Sequence, residues 1–141
     1  MDIRIFYDEV MFRMKGWKKI VEIIIRIIKK EKRKPGNISL IITNDRNLKE
    51  MNIRFLKHDD YTDVITFDYN EKNIVNGEIY ISIDSVKRNS NNYKVSLRSE
   101  MLRVIFHGVL HLCGYDDKSH EEKVSMKRME ELWMGICNSQ N

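Results

Sequence analysis

Residues 107–117 read His-Gly-Val-Leu-His-Leu-Cys-Gly-Tyr-Asp-Asp, and no other stretch restricts the fold of this chain as much. His107 and His111 stand four apart in a run of helical character, so both imidazoles share one helical face, one turn above the other. Gly114 follows three residues later, where a helix can stop in a left-handed turn. Such a turn sends the chain back past that face and brings Asp117 within reach. Two imidazole nitrogens and one carboxylate can hold a divalent cation and leave a position open for water. Three protein ligands plus water is the pattern of a catalytic zinc site, whereas four protein ligands indicate a structural one. Zinc is the expected ion, although nickel, cobalt or non-haem iron suit the same donors. His120, three residues beyond Asp117, is the alternative third ligand. Cys113 lies two residues after His111, on another side of the helix, and reads as a small buried apolar residue.

Two rival readings apply to the motif. Histidines at this spacing also arise by chance, one packed in a core and one on the surface. The spacing also matches the zincin proteases, but those carry a glutamate directly after the first histidine as general base. Here that position is Gly108, which disfavours a peptidase.

The stretch resembles the signature of the bacterial YbeY family, His-Gly-x-Leu-His-Leu-x-Gly-Tyr-Asp-His. Met51-Asn52 followed by Thr62-Asp63-Val64-Ile65-Thr66-Phe67 is similar to the family's Leu-Asn and Thr-Asp-Val-Leu-Ser-Phe segments. Asn76-Gly77-Glu78-Ile79-Tyr80-Ile81-Ser82 is similar to its Gly-Asp-Ile-x-Ile-Ser strand. The resemblance spans roughly residues 37 to 135, with the blocks in the family's order. It implies a metal-dependent, single-strand-specific endoribonuclease that acts in ribosomal RNA maturation, at the 3′ end of 16S rRNA, and in ribosome quality control. Its partners would be an rRNA precursor and the small ribosomal subunit. A non-catalytic, metal-containing ribosome-assembly factor is the second reading.

Two departures matter. The family's third metal ligand is a histidine, and that position here holds Asp117; a carboxylate is an acceptable zinc ligand. The family arginine thought to serve RNA binding or catalysis is replaced by Leu56, and Arg54 and Lys57 are the neighbouring cations that could take over its charge. No residue of the motif is an obvious general base; Asp116, Asp63 and His58 are candidates for proton transfer. Gly108, lacking a side chain, is expected to leave room for a phosphodiester beside the ion.

With 141 residues the chain suits one domain, residues 1–141, with one core. Its longest apolar cluster, Ile20 to Ile28, is broken by Glu22 and Arg26 and falls short of the roughly 20 residues of a membrane span. The N-terminus lacks a signal-peptide pattern, so a cytoplasmic protein is expected. Two cysteines, Cys113 and Cys137, give no reason to expect a disulfide framework. The net charge is +4, and between Arg13 and Lys34 there are ten Lys or Arg against two acids, Glu22 and Glu31. Such a run is a solvated helix face or a phosphate-contacting one.

The pattern of apolar residues predicts the elements. Residues 2–7 form a strand. A helix over 17–33 buries Trp17, Ile20, Val21, Ile24, Ile27 and Ile28, and Pro35-Gly36 ends it. Residues 38–43 form a strand, and Asn44 or Asp45 caps a helix running to about Phe55. His58 to Tyr61 is a polar loop, 64–67 a strand, 70–76 a polar turn and 77–83 a strand. Asp84 caps a short helix ending near Asn89, and 89–92 is a loop. Ser96 caps the metal helix, whose core stripe is Leu97, Met101, Val104, Ile105 and Leu112. A last helix over 119–134 turns Val124, Met129, Leu132 and Trp133 inward. The sum is an α+β fold: a small mixed four-stranded sheet covered by helices, with the metal site on a helix followed by a glycine turn.

Overall fold

The structure is a computed structural model and describes residues 1–56 and 62–139. Its elements are β1 (Asp2–Tyr7), α1 (Trp17–Lys30), β2 (Lys34–Thr43), α2 (Asp45–Leu56), β3 (Val64–Asp68), β4 (Ile74–Ser82), α3 (Ile83–Tyr93), α4 (Leu97–Leu112) and α5 (His120–Ser139). The sheet order is β1-β2-β4-β3. β1 and β4 run parallel to β2, and β3 pairs antiparallel with β4. The fold is therefore the α+β type expected, with one mixed sheet of four strands.

Register explains which face is buried. Ile5, Leu40, Ile79 and Thr66 lie in one row across the four strands. Side chains alternate between faces, so Ile38, Leu40 and Ile42 of β2 point the same way as Ile79 and Ile81 of β4. All five are at most 1% exposed. They meet α1 through Ile20, Ile24 and Ile27, and α4 through Val104, Ile105 and Val109. α1 is rich in β-branched isoleucine, a mediocre helix former, so this burial rather than propensity holds it.

Several boundaries differ from the pattern-based expectation, each for a local reason. α1 stops at Lys30, not Arg33, because Lys32 takes a left-handed conformation (φ 59°) and the Arg33 N–H returns to the Ile28 carbonyl. Pro35 and Gly36 therefore do not end the helix; they sit inside β2, where the register shifts between Pro35 and Ile38. β4 begins at Ile74, inside the expected turn. α3 is capped by Ser82, whose side chain accepts from the Ser85 N–H, and it continues through 89–92 to Tyr93. Asp84 instead accepts from the Asp45 N–H at the start of α2. α5 runs to Ser139, and its inward residues are Met126, Glu130 and Trp133; Val124 and Leu132, expected inside, are 44% and 41% exposed. The stripe is centred on a glutamate, a residue that polarity alone places outside. Among the described residues no helix is long and apolar enough to cross a membrane.

Candidate metal centre

α4 is positioned at both ends by local chemistry. Ser96 caps it, accepting from the Ser99 N–H, as expected. At the other end Gly114 has φ 109°, a conformation costly for any residue with a Cβ. The Tyr115 N–H reaches back to the Leu110 carbonyl and the Gly114 N–H to that of His111. This glycine turn swings residues 115–117 over the face that carries His107 and His111.

The two Nε2 atoms lie 3.1 Å apart, and Asp117 Oδ2 is 3.4 Å from one and 3.5 Å from the other. Each ring's other nitrogen is held. His107 Nδ1 is 2.7 Å from a Glu130 carboxylate oxygen, and His111 Nδ1 is 2.9 Å from the Tyr115 carbonyl. A carbonyl can only accept, and so can an ionised carboxylate. Burial acts to raise the Glu130 pKa, but hydrogen bonds from His107 and Arg103 outweigh it and hold the group below the usual carboxylate range. A neutral imidazole at either position therefore places its proton on Nδ1 and aims a bare Nε2 lone pair at one shared point, beside a carboxylate oxygen.

Three acceptors converging on one point repel unless a cation stands between them. Bonds of about 2.0–2.1 Å at the tetrahedral angle separate ligand atoms by roughly 3.3–3.4 Å, and the separations found here bracket that figure. The donor set thus fits a divalent metal. His107, His111 and Asp117 are also the group of ligand-capable side chains that meets the distance requirement for an ion among the described residues. His120 is not in that group; it opens α5 and is exposed.

Three further residues complete the centre. Arg103 donates to both carboxylate oxygens of Glu100, at 2.9 and 2.6 Å, and to Glu130 at 2.8 Å. Donation to the Glu100 carboxylate, reinforced by Glu130, holds its guanidinium charged. Glu100 and Glu130 are almost fully buried, so Arg103 compensates their charge while Glu130 braces His107. The spacing 100, 103, 107, 111 puts Glu100 and Arg103 on the metal face of α4, and that signal was available in the sequence. Glu130 comes from another helix and the Tyr115 contact from backbone, so no local pattern marks either. An open cleft of about 790 Å³ adjoins the centre and is lined by Arg103, His107, Asp117, Lys123, Lys127 and Glu130, among others.

The other candidates fall elsewhere. Gly108 does not open the ion to a substrate: it is buried against β4, where a Cβ would lie 2.7 Å from Ile79 Cγ2. Close packing of α4 on the sheet, not ligand access, requires glycine there. Asp63 lies 3.9 Å from Arg103, and the Asp116 side chain accepts from the Asp117 N–H. Arg54 and Leu56 are exposed in the last turns of α2. Lys57 and His58 lie outside the described residues. Cys113 is buried and its thiol is pushed up to about 12 by that burial; both cysteines are free.

Fold and centre together define a class: α+β proteins whose His-x-x-x-His helix and following glycine turn bring two imidazoles and a third donor to one point, a group able to hold a metal ion. Within that class, the model of the Endoribonuclease YbeY family matches residues 3–138. A protein from Flavobacterium psychrophilum named Endoribonuclease YbeY is 38% identical over 126 residues, covering 89% of this chain and 90% of its own. One of that name from Amoebophilus asiaticus is 38% identical over 135 residues, covering 94% and 91%. The solution structure of a Thermotoga maritima protein superimposes with a TM-score of 0.64 at 32% identity, covering 98% of this chain and 93% of that one. The chain belongs to the Endoribonuclease YbeY family.

Proposed function

We propose that the protein hydrolyses phosphodiester bonds of single-stranded RNA with one bound zinc ion, and that it acts in the cytoplasm on precursors of ribosomal RNA. The observation that carries this reading is the pair of Nε2 atoms set 3.1 Å apart and against Asp117 beside an open cleft, in a chain of an endoribonuclease family. A bound zinc ion would supply Lewis acidity, polarising a phosphodiester and lowering the pKa of water from 15.7 toward about 7.

The chain's own residues do the rest. His107, His111 and Asp117 would hold the ion. Glu130 and the Tyr115 carbonyl fix which ring nitrogen of each histidine carries the proton. Arg103 keeps Glu130 ionised and in place. Arg54 and Lys57 are assigned to contact the RNA strand. Asp63, 3.9 Å from Arg103, Asp116, next to the ligand Asp117, and His58 are the groups assigned to move a proton.

The test is cleavage of a fluorescent single-stranded RNA by the zinc-loaded protein. His111→Ala should abolish cleavage while leaving the fold intact by circular dichroism; undiminished cleavage by that variant removes the reading. The exposed Leu56, standing where the family has arginine, favours a second reading, that of a non-catalytic assembly factor whose metal orders the fold. A large fall in melting temperature on metal removal, with no cleavage of any RNA by the loaded protein, would select it.

A further inference from the structure

We infer that the outer face of α1 is a second RNA-contacting surface, one that grips the phosphate backbone of a folded RNA without reading its bases. The inference rests on RNA being the partner, as proposed above, and adds where most of the binding energy resides.

Charge is distributed very unevenly. Residues 13–34 hold ten basic and two acidic residues; the rest of the chain holds fifteen basic and nineteen acidic. One stretch of 22 residues is thus strongly cationic while the remainder is net acidic. Helical geometry gathers much of this charge. Lys18 and Arg26 stand two four-residue steps apart with Glu22 between them, Lys29 and Lys30 follow Arg26 by three and four residues, Lys19 lies beside them, and all five cations are exposed. Glu22 is the one acid in that row. Among the described residues no ion pair within 4 Å engages these five cations; the pairs that form involve Arg4, Arg46, Arg88 and Arg103 and the metal-site histidines. Exposed cations without an ion pair, gathered along a helix of about 21 Å, complement a polyphosphate chain.

The opposite face of α1 decides between an RNA and an anionic membrane. A membrane-surface helix sinks its apolar stripe among the acyl chains. Here that stripe is spent on the core: Ile20, Ile27 and Ile28 are fully buried. Apart from Glu22, the charges that face outward are cationic, which suits phosphates and leaves no apolar stripe to insert.

The surface also leads to the centre. α1 lies alongside α4, with Arg98 of α4 donating to the Lys15 carbonyl just before α1. Just after α1, Arg33 donates to the Leu112 carbonyl, one residue before the turn at 113–117. The cationic row therefore ends at the turn that carries Asp117. An RNA held along α1 would be tethered beside the metal centre.

The test uses the full chain carrying His111→Ala, to prevent cleavage, and a labelled structured RNA of mixed sequence. Affinity is read by fluorescence anisotropy from 50 to 200 mM salt. Each lost phosphate contact lowers the slope of log K against log salt by about 0.7–0.9. Lys18→Glu, Arg26→Glu and Lys29→Glu together should flatten the slope by about 2 and weaken binding more than tenfold at the lowest salt. The milder set Lys18→Gln, Arg26→Gln and Lys29→Gln, which keeps the helix face polar, should do the same in part. A charge-matched control, Lys72→Glu, Lys87→Glu and Lys94→Glu, should cost far less. Equal losses in both glutamate sets would reduce the effect to net charge and overturn the inference. So would unchanged RNA binding, with or without binding of the native chain to phosphatidylserine vesicles that the α1 substitutions abolish. With His111 restored, the α1 variant should still cut a short unstructured oligonucleotide. A native chain that neither binds nor cuts RNA defeats the RNA reading itself; one that cuts RNA but ignores the α1 substitutions defeats only this inference.

Discussion

Replacing Glu130 with leucine removes the acceptor that fixes the His107 tautomer. In the native chain the carboxylate is 5% exposed, 2.7 Å from His107 Nδ1 and 2.8 Å from the Arg103 guanidinium. Without it, His107 is free to carry its proton on Nε2, the atom that faces Asp117 and His111, and a protonated nitrogen cannot ligate. Loss of such an outer partner typically weakens metal binding 10–100-fold, or about 1.4–2.7 kcal/mol. Folding pays less than the roughly 3–5 kcal/mol seen when a buried charge is orphaned, because Arg103 keeps its two bonds to Glu100. Glu130→Gln separates the two effects: its amide oxygen still accepts from Nδ1, so its zinc affinity should fall less than tenfold. The assay is competition for zinc against a chromophoric chelator, with a thermal melt of the metal-free protein beside it. Wild-type zinc affinity in Glu130→Leu would refute the view that this carboxylate orients the ligand.

Three more expectations follow from particular contacts. Asp117→Ala should weaken zinc binding by more than the roughly 100-fold ceiling for an outer partner, whereas His120→Ala should leave it unchanged; the reverse order would make His120 the third ligand. Gly108→Ala forces a methyl to 2.7 Å from Ile79 Cγ2 and should destabilise the fold by about 1–3 kcal/mol in urea melts, with zinc affinity retained; no loss would mean α4 is not packed closely on β4. Burial acts to raise the Asp45 pKa, but bonds from Arg88, Ser82 and Ser85 outweigh it and leave it below its ordinary value of 3.8. Its stabilisation is therefore complete above that value and is lost as pH falls further, through the folded-state pKa. The stability gap between wild type and Asp45→Asn should be full at pH 7 and shrink in strongly acidic solution; a gap that widens on acidification would contradict this sign.

Much of the fold was legible because one periodicity dominated each segment. The isoleucines of α1 repeat at helical spacing, and alternation picks out β1 and the core of β2. The Ser96 cap and the Gly114 stop were readable because each residue type has a specific backbone role. What escaped reading depended on tertiary contacts. The Pro35-Gly36 pair looks like a helix breaker, but in space it is a strand irregularity beside β4. Lys32 ends α1 in a conformation that glycine usually supplies. Glu130 inverts the rule that glutamate faces water, because Arg103 and His107 meet it inside, and that one inversion shifted the expected inner stripe of α5 onto Val124 and Leu132. The candidate triad of His107, His111 and Asp117 came from spacing along one helix and its turn, and the structure brings those three side chains together. The residues that orient the triad lie across a helix interface, where no sequence interval points.

The central claim is that His107, His111 and Asp117 together bind one divalent metal ion. It is tested most directly by elemental analysis of untagged protein prepared without chelators, native and His111→Ala in parallel. The account predicts one equivalent of metal per native chain, with zinc predominant, and a large loss in the variant. A metal-free native protein that takes up no zinc on titration, or a variant that retains its full equivalent, would contradict it.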